Sequence, residues 1–155
     1  MWKFALVAWL ALAAPAAAQT VRLTGPQGTQ ELDAAALSAM PHISATMNDH
    51  GTMVTYEGVP LRALATLAGA PEGEKLRGPA LATFVRVTAS DGYKVVLSLG
   101  EIDATLGAGK VILADRQDGK PLNDKQGPFR LVVDGDQRPA RSARSVTTVE
   151  IVNGG

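Results

Sequence analysis

The chain has 155 residues, 46% of them apolar, with 15 Lys and Arg against 15 Asp and Glu and no cysteine. The lack of cysteine excludes disulfide scaffolds, thiolate zinc sites, iron–sulfur clusters and a thiol nucleophile. The balanced charge gives no basic footprint for nucleic acid, and the length suits one domain that buries roughly two-thirds of its unfolded surface.

Residues 1–18 read as a signal peptide. Lys3 supplies a positive n-region, residues 4–14 form an apolar run, and Ala16-Ala17-Ala18 closes it with an A-x-A cleavage pattern. The run is shorter than the ~20 residues that cross a bilayer, so no membrane span is expected after cleavage. Residues 19–155 then form a single domain that is periplasmic or secreted. The leader has no Arg-Arg pair, the mark of cargo exported by the twin-arginine route, so the chain is expected to leave unfolded. With no disulfide to form at that destination, stability has to come from packing.

Along residues 21–32, two short apolar-polar alternations flank Gly25-Pro26-Gln27-Gly28 and predict a hairpin. Asp33 stands at an N-cap position before a short Ala-rich helix over 34–40, which Pro41 stops. Residues 42–50 read as a strand, Asn48-Asp49-His50-Gly51 as a turn, and 53–58 as the next strand. Pro60 suits the first position of a helix, where its missing N–H has no partner to lose, and Leu61, Leu64, Ala65 and Ala68 follow at helical spacing. Residues 70–79 read as a loop. Asp91-Gly92 joins strands at 83–88 and 93–97, and Ser98-Leu99-Gly100-Glu101 is a capping box that opens a helix through Leu106. A buried strand at 111–114, a polar loop over 115–127, and strands at 129–133 and 146–152 complete the chain. Strands outnumber helices, and no repeat suggests a solenoid.

Three segments are less generic: Tyr56-Glu57-Gly58-Val59-Pro60-Leu61; Ile112-Leu113-Ala114-Asp115 with Asp118-Gly119-Lys120-Pro121-Leu122; and Gly127-Pro128-Phe129-Arg130-Leu131-Val132-Val133. With Asp91-Gly92-Tyr93 and the basic stretch from Arg138 to Arg144, in this order, the chain resembles the molybdopterin-binding domain of sulfite-oxidase-type oxidoreductases. The resemblance implies a compact α+β fold, a mixed β core covered by short helices. In catalytic members of the family a cysteine thiolate binds molybdenum upstream of the G-V-P-L segment. Counting back from Leu61 places that ligand at Thr46, whose hydroxyl is a hard, barely ionised donor and no substitute for soft thiolate. Catalytic members also tend to carry tryptophan where this chain has Tyr56 and Ser142-Ala143-Arg144-Ser145. The family's cofactor is inserted in the cytoplasm before folded export, which the leader does not suit.

The candidate site residues divide into two groups. Thr46, Asn48, Asp49 and His50 surround the place of the missing cysteine. His42, Asp49 and His50 form the one set that suggests a metal or acid–base role, against the simpler reading of a turn with Asp49 bonding its own backbone. Arg138, Arg141 and Arg144 lie three apart, and in relatives this region helps hold the pterin phosphate and anionic substrate. Their guanidinium forks match an oxyanion, against the simpler reading of a solvated edge paired with Asp134 and Asp136. Lys120, Lys125 and Arg130 are further candidates for the patch. Serine-hydrolase and P-loop signatures are absent, and Glu101 and Asp103 read as an acidic first helical turn.

The expected function is that of an exported, non-redox domain of molybdopterin-oxidoreductase type. It would bind a small anionic or pterin-like ligand, or an exported or membrane protein partner, with no cofactor expected. The alternatives are a genuine molybdopterin-dependent oxidoreductase that binds its cofactor without cysteine, and a ligand-free interaction partner of a membrane signalling protein.

Overall fold

Gly28 sits at φ 97°, and this left-handed backbone turns β1 (Thr20–Gly25) into β2 (Gly28–Asp33) as the expected hairpin. The computed structural model describes residues 19–155, so the signal peptide expected at 1–18 lies outside the described residues. Asp33 caps α1 (Ala34–Ser38) by accepting from the Ala36 N–H at 2.7 Å. The helix is shorter than predicted, because Ala39 and Met40 close it with N–H bonds to Ala35 and Leu37 before Pro41.

Strand β3 (Ile43–Asp49) pairs antiparallel with β4 (Thr52–Pro60), and β4 with β7 (Val111–Gln117). Two further strands lie on the other edge of β7: the short β8 (Lys120–Pro121) and β9 (Arg130–Val133). The predicted polar loop over 115–127 therefore contains the end of β7 and a two-residue return strand. The other sheet runs β2, β1, β10 (Val146–Val152), β5 (Phe84–Ala89), β6 (Lys94–Ser98), with only the β1–β10 pair parallel.

Pro60 ends β4, so α2 (Leu61–Leu67) begins one position later than predicted. The register shift between Glu57 and Gly58 brings β4 so close to β7 that a Cβ on Gly58 would collide with the Leu113 carbonyl and the Ala114 Cα. The expected loop at 70–79 holds 3-10 turns at Gly73–Lys75 and Gly78–Ala82. Helix α3 (Leu99–Ile102) stops well before Leu106. Asp103 leaves it with extended backbone, and its carboxylate accepts from the N–H groups of Gly73 and Thr105 and from the Thr105 hydroxyl.

The main core joins Val21 and Leu23 of β1, Val85 and Val87 of β5 and Val149 of β10 to Val59 of β4, Leu113 of β7, Leu131 of β9 and the helices. A smaller cluster on the other face of the sheet formed by β3, β4, β7, β8 and β9 holds Ala45, Met47, Tyr56, Ile112, Ala114 and Val132, with Leu122 against it. Both faces of β7 and β9 are thus covered. This explains why residues 111–114 and 131–133 read as continuous apolar runs without alternation. The architecture is the expected compact α+β fold of mixed sheets and short helices. Among the described residues, no helix is long and apolar enough to cross a membrane.

Candidate functional site

The second apolar face holds a charge. Arg130 alternates with the core residue Leu131 on β9, so its side chain belongs to the face of Val132 and lies opposite Ala114 of β7. It is 1% exposed. Its Nη1 donates to the Tyr56 hydroxyl at 2.9 Å and to Gln126 Oε1 at 3.0 Å, and its Nη2 reaches Met47 Sδ at 3.7 Å. The guanidinium carbon lies 5.2 Å from the Tyr56 ring centroid, a distance at which ring and cation attract. Its Nε has no hydrogen-bond partner, and no carboxylate forms an ion pair with it among the described residues. Burial pulls the Arg130 pKa below the usual guanidinium value and pushes that of Tyr56 up. Arg144 repels the Arg130 charge while Asp49 attracts it at longer range.

Arg130 lines a cavity of about 250 Å³ together with Arg144, Ser142, Asp91 and Tyr93. Ser142 is 5% exposed and its Oγ has no hydrogen-bond partner among the described residues. The Tyr93 hydroxyl straps the β5–β6 hairpin across the cavity by donating to the Ala140 carbonyl at 2.6 Å. Two guanidinium groups and Ser142 line this cavity against the single carboxylate of Asp91, a net positive lining suited to an anion.

Of the residues expected from sequence, Arg144 and the further candidate Arg130 line this cavity. The others have separate commitments. Thr46 gives both its N–H and its hydroxyl proton to Asp134 Oδ1, each at 2.8 Å. Burial works against ionisation of Asp134, but these bonds and Lys110 at 3.4 Å outweigh it and hold its pKa below the ordinary carboxylate value. Asn48 caps the turn by accepting from the Gly51 N–H at 2.7 Å, and His50, at φ 53°, is exposed with Nε2 3.7 Å from Asp49. Arg138 is exposed at the start of the 3-10 turn Pro139–Arg141. Arg141 is neutralised: Asp136 takes two of its bonds, at 2.7 and 3.0 Å, and Glu101 a third at 2.8 Å. These partners raise its pKa.

His42 does not join Asp49 and His50. It bonds the Met40 carbonyl through Nδ1 at 2.8 Å and Asp115 through Nε2 at 3.0 Å, and no group of three potential metal ligands forms among the described residues. Lys120 and Lys125 are exposed and outside the cavity. Sequence reasoning gave Arg130 only a marginal part. The available signal was an arginine placed between Phe129 and Leu131-Val132-Val133, inside a run that otherwise reads as buried strand.

A family model of the oxidoreductase molybdopterin binding domain matches residues 33–154. The chain belongs to this family. Its fold is similar to that in the crystal structure of the sulfane dehydrogenase SoxCD from Paracoccus pantotrophus, with a TM-score of 0.65 and 17% sequence identity over 86% of this chain. The present domain spans 38% of that protein's chain. No curated protein matches the sequence.

The residues of this family member do not fit a thiolate-held molybdenum centre. Around the position that resemblance assigns to the ligand, the Thr46 oxygen is committed to Asp134, and the neighbouring sulfur, Met47 Sδ, is a buried thioether that accepts from Arg130. Neither ionises to a soft anionic donor. The arginine-lined cavity, in contrast, fits an anionic group.

Proposed function

We propose that this domain is a non-redox member of its family that binds a small anion in the cavity formed by Arg130, Arg144 and Ser142. The observation that carries this reading is the Arg130 guanidinium, buried on an apolar face with a bare Nε and, among the described residues, no paired carboxylate. An isolated buried charge costs several kcal/mol, and an oxyanion in the cavity offsets that cost through charge-assisted bonds. The volume corresponds to roughly eight waters, enough for one oxyanion with part of its hydration. We also place the working protein outside the cytoplasm, periplasmic or secreted, on the strength of the leader pattern in residues 1–18.

The test is thermal unfolding in chloride buffer with added sulfate, phosphate, sulfite or pterin. A ligand at 100 times its Kd stabilises the native state by about 2.7 kcal/mol, which is several degrees in Tm. At least one of these anions is expected to give such a rise in the native protein, and none in Arg144→Glu. Flat curves for all four would end the anion reading and leave contact with an exported or membrane protein as the function. Stoichiometric molybdenum in protein taken from its native location, with turnover of sulfite, would instead establish the oxidoreductase.

A further inference from the structure

A larger cavity, about 580 Å³, opens between α2, α3 and residues 70–76, and shares no lining residue with the anion cavity. Its volume lies within the range of small-molecule sites. Ala65, Ala70, Leu76, Leu99 and Ile102 give it a mostly apolar wall, and among the described residues no aromatic ring contributes.

One buried charge stands in that wall. Asp103 is 7% exposed and forms no ion pair among the described residues. The Thr105 hydroxyl, then the Gly73 and Thr105 N–H groups, hold its pKa below the ordinary carboxylate value, so it is ionised at neutral pH. These three donors are unequally shared. Oδ1 takes both bonds from Thr105, at 2.8 and 2.6 Å, while Oδ2 takes the Gly73 N–H at 2.8 Å, with the Leu106 N–H as a weaker donor to the carboxylate. A carboxylate oxygen has two lone-pair sites, so one on Oδ2 is open. At the rim, Glu72 accepts from the Thr66 hydroxyl and Arg62 is exposed. Arg62 and Glu72 are exposed and of opposite sign, which leaves Asp103 as the buried charge of the lining.

We propose that this cavity binds a small lipophilic amine, with the ammonium group donating to Asp103 Oδ2 and the hydrocarbon body lying against Ala65, Leu76, Leu99 and Ile102. The apolar wall supplies the hydrophobic contribution, and the unpaired buried carboxylate selects the charge. A quaternary ammonium is disfavoured on two counts: it has no N–H for the open lone pair, and among the described residues the lining has no ring to face it.

Hexylamine, hexanol and hexyltrimethylammonium, titrated against the full chain by calorimetry, test the proposal. Hexylamine is expected to bind about tenfold or more tightly than hexanol, the contribution of one charge-assisted bond, with the quaternary cation no better than the alcohol. Asp103→Asn should bring the hexylamine to hexanol ratio close to one. Because that variant also loses the charge that organises Gly73 and Thr105, Ala104→Trp at the exposed rim is the second variant, expected to abolish binding of both compounds. Equal binding of amine and alcohol to the native protein would overturn the proposal. So would the absence of saturable binding, or full binding by Ala104→Trp. Arg144→Glu should leave the amine titration unchanged, which keeps this result separate from the fate of the anion site.

Discussion

Arg141 Nη1 donates to Glu101 at 2.8 Å and so ties the 3-10 turn Pro139–Arg141 to α3, forty positions earlier in the chain. The bond also decides what Glu101 does not do. Ser98 Oγ accepts from the Glu101 N–H at 3.0 Å, but the Glu101 carboxylate, which a full capping box would turn back to Ser98, is spent on Arg141. Arg141 is therefore a clamp, and with Asp136 on its other edge it offers little to an added anion.

The clamp and the anion site should separate by mutation. Arg141→Met is expected to lower stability by roughly 1 kcal/mol after solvent screening of these half-exposed pairs, with the anion-induced rise in Tm retained. Arg144→Met should do the reverse, leaving basal Tm almost unchanged and cutting the rise. Parallel thermal melts with and without the binding anion read both effects.

Arg130→Met exchanges the buried cation for an apolar chain of similar length while the Tyr56 hydroxyl keeps Gln126, at 3.3 Å. Removing an unpaired buried charge is neutral or stabilising, so the variant should match or exceed the native Tm in anion-free buffer, within about 1–2 kcal/mol. It should no longer respond to anion. A loss of several kcal/mol in anion-free buffer would show that Arg130 acts as a structural pillar instead.

His42 faces two acceptors, the Met40 carbonyl and the Asp115 carboxylate, and only the imidazolium donates to both. Burial opposes its protonation, as does Arg116, but the bonds to Asp115 and Met40 prevail and raise its pKa above 6.5. A raised folded pKa stabilises the protein fully below about 6.5, and this contribution is lost as pH rises through the folded value. Between the native protein and His42→Gln, the difference in Tm should therefore be largest at mildly acidic pH and shrink towards alkaline pH. Asp134 has the opposite sign. Its lowered pKa gives stability that is present above about 3.8 and lost as pH falls through the folded value.

Thr46→Val removes one bond to Asp134 but keeps the backbone N–H bond, and should cost about 1 kcal/mol in denaturant unfolding. Gly58→Ala should cost more, about 1–3 kcal/mol, because the added Cβ meets the fixed backbone of β7 at Leu113 and Ala114.

Local chemistry made much of the fold legible. Turn residues at Gly25-Pro26-Gln27-Gly28 and Asp91-Gly92, the Asp33 cap and the apolar spacing after Pro60 each act within a few residues, and the structure shows the hairpins, α1 and α2 where those signals stand. Errors arose where a distant partner took over. Helix α3 ends early because Asp103 turns to Gly73, thirty positions away, and the polar loop after β7 acquires β8 because it folds back on Arg116 and Gln117.

For the site, the sequence by itself determined the inventory: no thiolate for a metal, a threonine where resemblance places the ligand, and arginines in number near the C-terminus. Tertiary structure decided which arginine is available. Arg141 is consumed by Asp136 and Glu101, Arg138 stands in solvent, and Arg130, on a strand whose two faces are both covered, is left buried without a carboxylate beside Arg144. The reason is physical. Residue type fixes the charge a side chain brings, but its burial and its ion partners come from strands and turns far away in sequence, and these settle which charges remain free to meet a ligand.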